Sequence, residues 1–547
     1  MGEGRGVGAT VARVIGRLVD RGLGLEPGRV RYTRGTVRTP MADGVSLVGD
    51  LYRPADATGP LPVVLIRCPY PRSGLGRLLA SPLARHGFQV LVQSTRGSFG
   101  SGGQFRPFRH ERADGLATVD WVREQPWCDG RIATTGPSYL GHTQWMVAGH
   151  TDVVAASPHI TAARMTDTFY PGGAPTLLNG LAWSATLGNQ ESDVPLLPHP
   201  LRQRRLRRAL RRMPLQAADL DVAGAPVAFW RDFTGHGEPD DDFWEATYAD
   251  RTRAVPPVNM VTGWWDLFVH AQMRDFQDLR EAGVDARIVV GPWLHAASDE
   301  LREMLRTDLA FLDHHLRGGP EPEGARVRLY LMQADQWLEF DAWPPPARAT
   351  SLYLAAGTLD AQPGTGSSAF VYDPSDPTPA RGGPLLQKPG EQSDQRAVES
   401  RSDVLVFTGP ELAADLDVVG PVTARVFVRP ELEHADVYLR VCDVDERGVS
   451  RNVVDGIRRL DPRTVPAKDV TVGEDGVLAV DLELFPTAYR FRAGHRMRVQ
   501  VAGGAFPRFA RNTGTGEPFG LATTGLRCRT EVLHDEAHPS AVTLPVL

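Results

Sequence analysis

From residue 30 to about 160, short apolar runs alternate with stretches of helical period. RVRYTRGTVRT and VSLVGDLYRP show the two-residue alternation of strands, joined by a turn at Asp43-Gly44. PVVLIRC, QVLVQST, RIATTG and VVAASPH follow as continuous apolar runs. LGRLLASPLARHG and ERADGLATVDWVREQP lie among them and repeat their apolar positions at helical spacing. Apolar strands separated by helices predict a mostly parallel sheet covered on both faces. The same texture returns in VNMVTG and ARIVVG, between residues 258 and 291.

Residues 166–251 interrupt this pattern with helical periods and little strand, and read as a helical cap inserted into the sheet domain. A proline run in DAWPPPARA marks a second change. Beyond it TSLYLAAG, VLVFTG, PVTARVFVRP, DVYLRVCDV, GVLAVDLELF and HRMRVQVAGG are nearly all strand and turn, which predicts a β-sandwich or jelly roll. The expected fold class is therefore α/β with an inserted helical cap, followed by an all-β domain. The boundaries are 1–165 and 252–345 for the sheet domain, 166–251 for the cap and 346–547 for the jelly roll. Residues 374–402 are rich in Pro, Gly and polar side chains and read as a long surface loop.

Length and charge narrow the function. A chain of 547 residues exceeds one hydrophobic core. A net charge of −6 favours neither nucleic acid nor anionic lipid. Seven arginines between Arg202 and Arg212 read as a solvated helix face, neutralised by Glu238, Asp240, Asp241 and Asp242. Cys68, Cys128, Cys442 and Cys528 are far apart, which argues against a disulfide framework or a structural zinc site. No apolar run is long enough to span a membrane. Val11, Ile15, Leu18 and Val19 predict a short amphipathic helix, and Arg13 and Arg17 interrupt the apolar core that a secretory signal needs. A cytoplasmic location follows by default, and self-association is left open.

The chemistry centres on GPSYLG, residues 136–141. A strand precedes it and a helix follows. Such a turn lifts the Ser138 hydroxyl above the sheet edge and aims the N–H groups of the helix start at a reacting carbonyl. The second glycine of G-x-S-x-G is displaced by one, with Leu140 in its place and Gly141 after it. The motif alone is weak, because chance supplies G-x-S-x-x-G in roughly one chain of four at this length. A serine needs a base of near-neutral pKa, and the base needs a carboxylate to hold its tautomer. WWD places Asp266 just beyond VNMVTG, and PWLH places His295 just beyond ARIVVG. Serine, acid and histidine then follow the chain order of α/β-hydrolases. An oxyanion would meet the Tyr139 N–H. Tyr70, after an early strand, could supply a second donor, although on residue type alone a tyrosine there is more often a packing residue.

These residues sit in longer matching segments. They include RCPYPR, GFQVLVQSTRGSFGSGGQF, EQPWCDGRIATTGPSYLGHTQW, VTGWWDLFV, RIVVGPWLH and FRAGHRMRVQVAGGAFPRFARNTGTG. Together they resemble the CocE/NonD group of serine hydrolases. The resemblance implies an α/β-hydrolase domain with a helical cap and a jelly roll. It implies Ser138 as nucleophile, Asp266 and His295 as its partners, Tyr70 as a side-chain oxyanion donor, and Phe268 as an acyl-pocket aromatic. Trp145, Trp264 and Trp265 are further pocket candidates. Ser94 departs from the family, which usually has aspartate in QDxRG; a local effect is expected. The expected substrate is a small-molecule ester or amide, and no metal or organic cofactor is needed. Alternatives are an X-Pro dipeptidyl peptidase or α-amino acid ester hydrolase, an acyltransferase, and a non-catalytic jelly-roll binding protein. The first two need carboxylates for a substrate ammonium, for which Asp240, Asp241 and Asp242 are candidates.

Overall fold

The computed structural model describes residues 20–191, 199–250, 255–386, 390–463 and 465–547. The helix expected over Val11–Val19 lies outside them. The chain forms two compact units, one of residues 1–164, 245–263 and 271–328, the other of 165–244, 264–270 and 329–547.

In the first unit eight strands lie in the order β1-β2-β4-β3-β5-β6-β7-β8. They are β1 Tyr32–Pro40, β2 Ser46–Pro54, β3 Leu61–Cys68, β4 Gln89–Ser94, β5 Cys128–Pro137, β6 Val153–His159, β7 Val258–Gly263 and β8 Ala286–Gly291. β1 and β2 pair antiparallel through the expected turn, and β3 to β8 run parallel. Val63, Val64, Leu65 and Ile66 of β3 are all buried, as a strand covered on both faces requires. Helices α1 Arg77–Arg85, α2 Glu111–Arg123, α3 Tyr139–Trp145, α4 Val269–Glu281 and α5 Ser298–Arg317 follow β3, β4, β5, β7 and β8. The parallel strands therefore send their C-terminal ends, and the loops after them, to one edge. Glu111 and Asp114 occupy the first turn of α2, where the helix dipole favours acids.

The second unit joins the cap helices to the β-domain. The cap segment at Gly172 packs so closely on the β-domain that a Cβ there would lie 1.7 Å from the Ile457 carbonyl oxygen. Leu178 N–H also bonds the Pro507 carbonyl at 3.0 Å. Arg202, Arg204, Arg205, Arg207 and Arg208 are solvated on the helix His199–Leu210, as expected. Asp221 pairs with Arg212 at 2.9 Å and lies 4.0 Å from Arg208. In the 238–242 stretch Glu238 pairs with Arg463 at 2.8 Å and Asp241 with His236 at 2.9 Å.

Among the described residues fourteen hydrogen-bonded strands build the β-domain. Four of them run side by side as β9-β12-β10-β11: β9 Val404–Glu411, β10 Ala435–Val444, β11 Ser450–Leu460 and β12 Arg496–Ala502. β11 is the strand that the polar/apolar pattern hides, because it carries Asp455, Arg458 and Arg459. Two of these charges meet partners directly across the ladder, Arg440 facing Asp455 and Asp436 facing Arg459, and Arg458 pairs with Asp469 at 2.7 Å. Asp455 lies 2.7 Å from Arg440 and 2.5 Å from Arg508, all three buried. The expected surface loop at 374–402 instead packs inward. Thr378, Leu385 and Gln395 are buried. Arg440 donates to Gln395 Oε1 at 2.8 Å and to the Arg381 carbonyl at 2.6 Å. The four cysteines are free and buried. Among the described residues no helix is long and apolar enough to cross a membrane.

Burial pushes the Asp455 carboxyl pKa up, but Arg508 and Arg440 pull it down further, below the ordinary 3.8. A lowered folded pKa stabilises fully above the unfolded value and is lost as the pH falls towards the folded one. Asp455→Asn should therefore cost about 3 kcal/mol near neutrality, where two buried guanidinium groups lose their counter-charge. The gap between variant and wild type in urea unfolding should narrow as the pH is lowered from about 6 towards about 3.

Candidate active site

β5 ends in the turn at Gly136-Pro137-Ser138, and α3 begins at Tyr139. Ser138 has φ 60° and ψ −123°, a conformation that costs on the order of 1–3 kcal/mol and persists only where its surroundings enforce it. Several contacts do so. Ser138 N–H donates to the His159 carbonyl at 2.9 Å, tying the turn to the end of β6. Gln144 reaches back from α3, donating to the Gly136 and Ser157 carbonyls at 3.0 and 3.1 Å and accepting from Ser157 N–H and the Thr134 hydroxyl. Gly136 has φ 138°, and a Cβ there would lie 2.7 Å from Leu140 Cβ. A Cβ on Gly141 would lie 2.6 Å from Thr161 Cγ2 and 3.0 Å from the His159 carbonyl oxygen. The close approach to β6 thus falls at Gly141, which is why Leu140 can stand where a glycine is usual.

His295 Nε2 lies 3.1 Å from Ser138 Oγ across 157 residues of chain. The two loops after β7 and β8 start level with one another, since Gly263 and Gly291 are register partners in parallel strands. Both must be glycine for space. A Cβ on Gly263 would lie 2.3 Å from the Trp293 carbonyl oxygen, and one on Gly291 2.5 Å from the Trp293 ring. Asp266 follows Gly263 by three residues and His295 follows Gly291 by four. Asp266 is fully buried, and its Oδ1 accepts the Phe268 N–H at 2.7 Å. That contact forms an Asx turn leading into α4.

Tyr70 is half-buried two residues beyond β3, the strand beside β5. The Tyr139 side chain turns inward. Its hydroxyl donates to Glu111 at 2.7 Å and accepts the Phe108 N–H, and Glu111 in turn pairs with buried Arg67 at 3.0 Å. Burial, with the Glu111 charge added, pushes the Tyr139 pKa well above 10, which keeps the phenol neutral. Burial holds His142 neutral too, with its pKa lowered to about 3. Trp145 is buried at the far end of α3, about 10 Å along the helix axis from Ser138. Trp265 and Phe268 are also buried, on either side of Asp266. Trp264 donates its indole N–H to the Tyr330 carbonyl at 2.8 Å.

Two features escaped the pattern of the chain. Asp308 on α5 gathers three buried donors, from Thr135 on β5 at 2.5 Å, His159 on β6 at 3.1 Å and Asn259 on β7 at 3.2 Å. It fastens the strands under the serine turn to the helix that follows His295. No local motif announces it, because its partners lie 49 to 173 residues away. The second feature concerns Ser94. Arg72 donates to its hydroxyl and to the Phe99 carbonyl, while Asp50 lies 3.5 Å from Arg72 Nε. Asp50 supplies a carboxylate beside Arg72 where Ser94 has none.

Comparison with known proteins identifies the family of the chain. The profile of the X-Pro dipeptidyl-peptidase (S15) family matches residues 43–297, and that of the X-Pro dipeptidyl-peptidase C-terminal non-catalytic domain matches residues 323–543. The cocaine esterase of Rhodococcus sp. (strain MB1 Bresler) is 32% identical, over 93% of this chain and 98% of that protein. This chain belongs to the S15 family, in its CocE/NonD group. Two solved structures share the S15 fold. An aminopeptidase from the marine sediment archaeon Thaumarchaeota archaeon has TM-score 0.79 and 24% identity over 94% of this chain and 96% of that one. An α-amino acid ester hydrolase has TM-score 0.78 and 23% identity over 94% and 97%. As an S15 member the protein is a hydrolase of ester or amide bonds.

Gly141→Ala should force the serine turn away from Thr161. We expect kcat for an aryl ester to fall about a hundredfold, the scale of a 1 Å misplacement of a reacting group. Steady-state kinetics alongside a thermal melt would check this, and unchanged kcat would show that the turn has room to spare.

Proposed function

We infer that the protein is a serine esterase working through an acyl-serine intermediate, with Ser138 as nucleophile, His295 as general base and Asp266 as the carboxylate that orients it. The observation carrying this reading is the 3.1 Å approach of His295 Nε2 to the Ser138 hydroxyl, at a serine held at positive φ. Nε2 takes the hydroxyl proton as Oγ attacks the carbonyl carbon. In this reading Asp266 is the acceptor for the Nδ1 proton, and its negative charge stabilises the imidazolium. The carbonyl oxygen becomes an oxyanion, met by the Tyr139 N–H and the Tyr70 hydroxyl. As the tetrahedral species collapses, the imidazolium returns its proton to the leaving alcohol. Water repeats the sequence on the acyl-serine, and the acid leaves with Ser138 restored.

The acyl group is apolar or aromatic, with Phe268 and Trp265 beside Asp266 supplying apolar surface. An ester substrate is favoured over an X-Pro peptide. A peptide's free ammonium needs carboxylates, and in the acidic stretch Glu238 and Asp241 are already engaged by Arg463 and His236. The family description favours the peptide reading, so the substrate panel must include it.

Ser138→Ala should lose about a millionfold in kcat, the loss seen when a triad serine is removed. A fluorophosphonate should label wild type and leave Ser138→Ala unlabelled; labelling of the variant would remove the mechanism. Tyr70→Phe should lower kcat about 10²–10³-fold with little change in KM, the value of one oxyanion donor. A panel of an aryl ester and of amino-free and amino-blocked X-Pro amides should show the ester turned over fastest. A strong preference for the amino-free amide would establish the peptidase reading instead.

A further inference from the structure

The segment Trp264–His270, which carries Asp266, belongs to the same compact unit as the β-domain. Three of its contacts there are specific. Trp264 donates its indole N–H to the Tyr330 carbonyl at 2.8 Å. The Trp265 carbonyl accepts the Leu385 N–H at 3.2 Å. The His270 ring stacks on Phe485, with centroids 5.1 Å apart and planes at 28°.

Two of these contacts lead to one place. Leu385 lies on the inward-packed segment whose Arg381 and Gly382 carbonyls accept from Arg440 at 2.6 and 3.5 Å. Gly383 lets that segment lie directly on the ion cluster. It has φ 102°, and a Cβ there would be 2.7 Å from Arg508 Nη1 and 3.5 Å from Asp455 Oδ2. Phe485 lies under the Arg508 guanidinium, 4.9 Å from ring centroid to Cζ, and its N–H donates to the Asp455 carbonyl at 3.0 Å. The buried cluster of Arg440, Asp455 and Arg508 thus reaches the Asp266 segment from both sides, through Leu385 to Trp265 and through Phe485 to His270.

We propose that the β-domain, which the family description calls non-catalytic, sets the position of the catalytic acid, and that Phe485 and Gly383 are positioning residues for Asp266. The proposal rests on the reading of Asp266 as the carboxylate that orients His295. A buried ion cluster suits this task, because its hydrogen bonds fix direction as well as distance, which apolar packing does not. Neither residue touches the reacting atoms. Each acts by holding the backbone on one side of a carboxylate that must meet an imidazole within a few tenths of an ångström.

A double-mutant cycle in the full-length protein tests this. Asp266→Asn should lower kcat about ten-thousandfold with little effect on KM. Phe485→Leu, which keeps the site apolar and removes the stacked ring, should lower kcat about tenfold or more on the wild-type background, with KM within about twofold. On the Asp266→Asn background it should cost nothing further, because the group it positions is already disabled. Gly383→Ala should show the same pattern from the other side, and serves if Phe485→Leu does not fold. Losses that multiply on the Asp266→Asn background would overturn the proposal, since a general loosening of the fold gives that result. Wild-type kcat in both single variants would overturn it equally. A wild-type rate from Asp266→Asn itself would remove the acid's role, and the proposal with it.

Discussion

A serine held at φ 60° and ψ −123° is uphill of every ordinary backbone state, and the architecture around it is organised to keep it there. The turn cannot relax towards β6, because its N–H is committed to the His159 carbonyl. It cannot relax towards α3, because Gln144 holds Gly136 and Ser157 together behind it. Beneath these, Asp308 draws β5, β6 and β7 onto α5 through three buried hydrogen bonds. Each of those bonds adds about 1 kcal/mol net, while an orphaned donor would cost about 1–3 kcal/mol. The hub therefore resists loss of any one strand more strongly than its net stabilisation suggests. The conformation that exposes the hydroxyl is a property of the whole sheet edge.

Much of the hydrolase unit was legible in the chain, for physical reasons that can be named. Strands covered on both faces must be apolar throughout, so β3, β4 and β6 to β8 appear as continuous runs. The glycines at 136, 141, 263 and 291 are forced by space, and space leaves a mark on sequence. The serine and histidine loops were readable because parallel strands send their C-terminal ends to one edge. Ser138 and His295 could thus be placed together without any contact being known.

The rest was illegible where burial is achieved by pairing charges. β11, with Asp455, Arg458 and Arg459, has the composition of a surface strand, yet Asp455 and Arg459 are answered across the ladder by Arg440 and Asp436 on β10, and Arg458 pairs with Asp469. Residues 374–402 look like a solvated loop for the same reason. Their glycines and polar groups serve a buried guanidinium, and only the distant Arg440 explains them. Asp308 is hidden in the same way, as one acid in an amphipathic helix until its partners are placed. The cap was recognised as helical from its period. Its allegiance to the β-domain was not, because a close approach such as Gly172 on Ile457 leaves one glycine in the chain and nothing local to say what it meets.

Placing the acid's segment against the β-domain separates two demands that conflict within one sheet. The serine turn must be rigid along the strands, and the hydrogen bonds of β5 and β6 provide that. In the proposed triad Asp266 must be fixed in direction towards an imidazole on a separate loop, and a strand end fixes direction poorly because the chain beyond it can swing. Anchoring Trp264, Trp265 and His270 at three separate points removes that freedom. The anchoring contacts include a backbone carbonyl and an indole N–H, whose geometry is narrower than that of apolar packing. Burying Arg440, Asp455 and Arg508 costs desolvation that a well-packed apolar cluster of the same volume would avoid. Stability alone would favour the apolar cluster, and the proposed positioning of Asp266 gives the charged one a task that apolar packing would not perform.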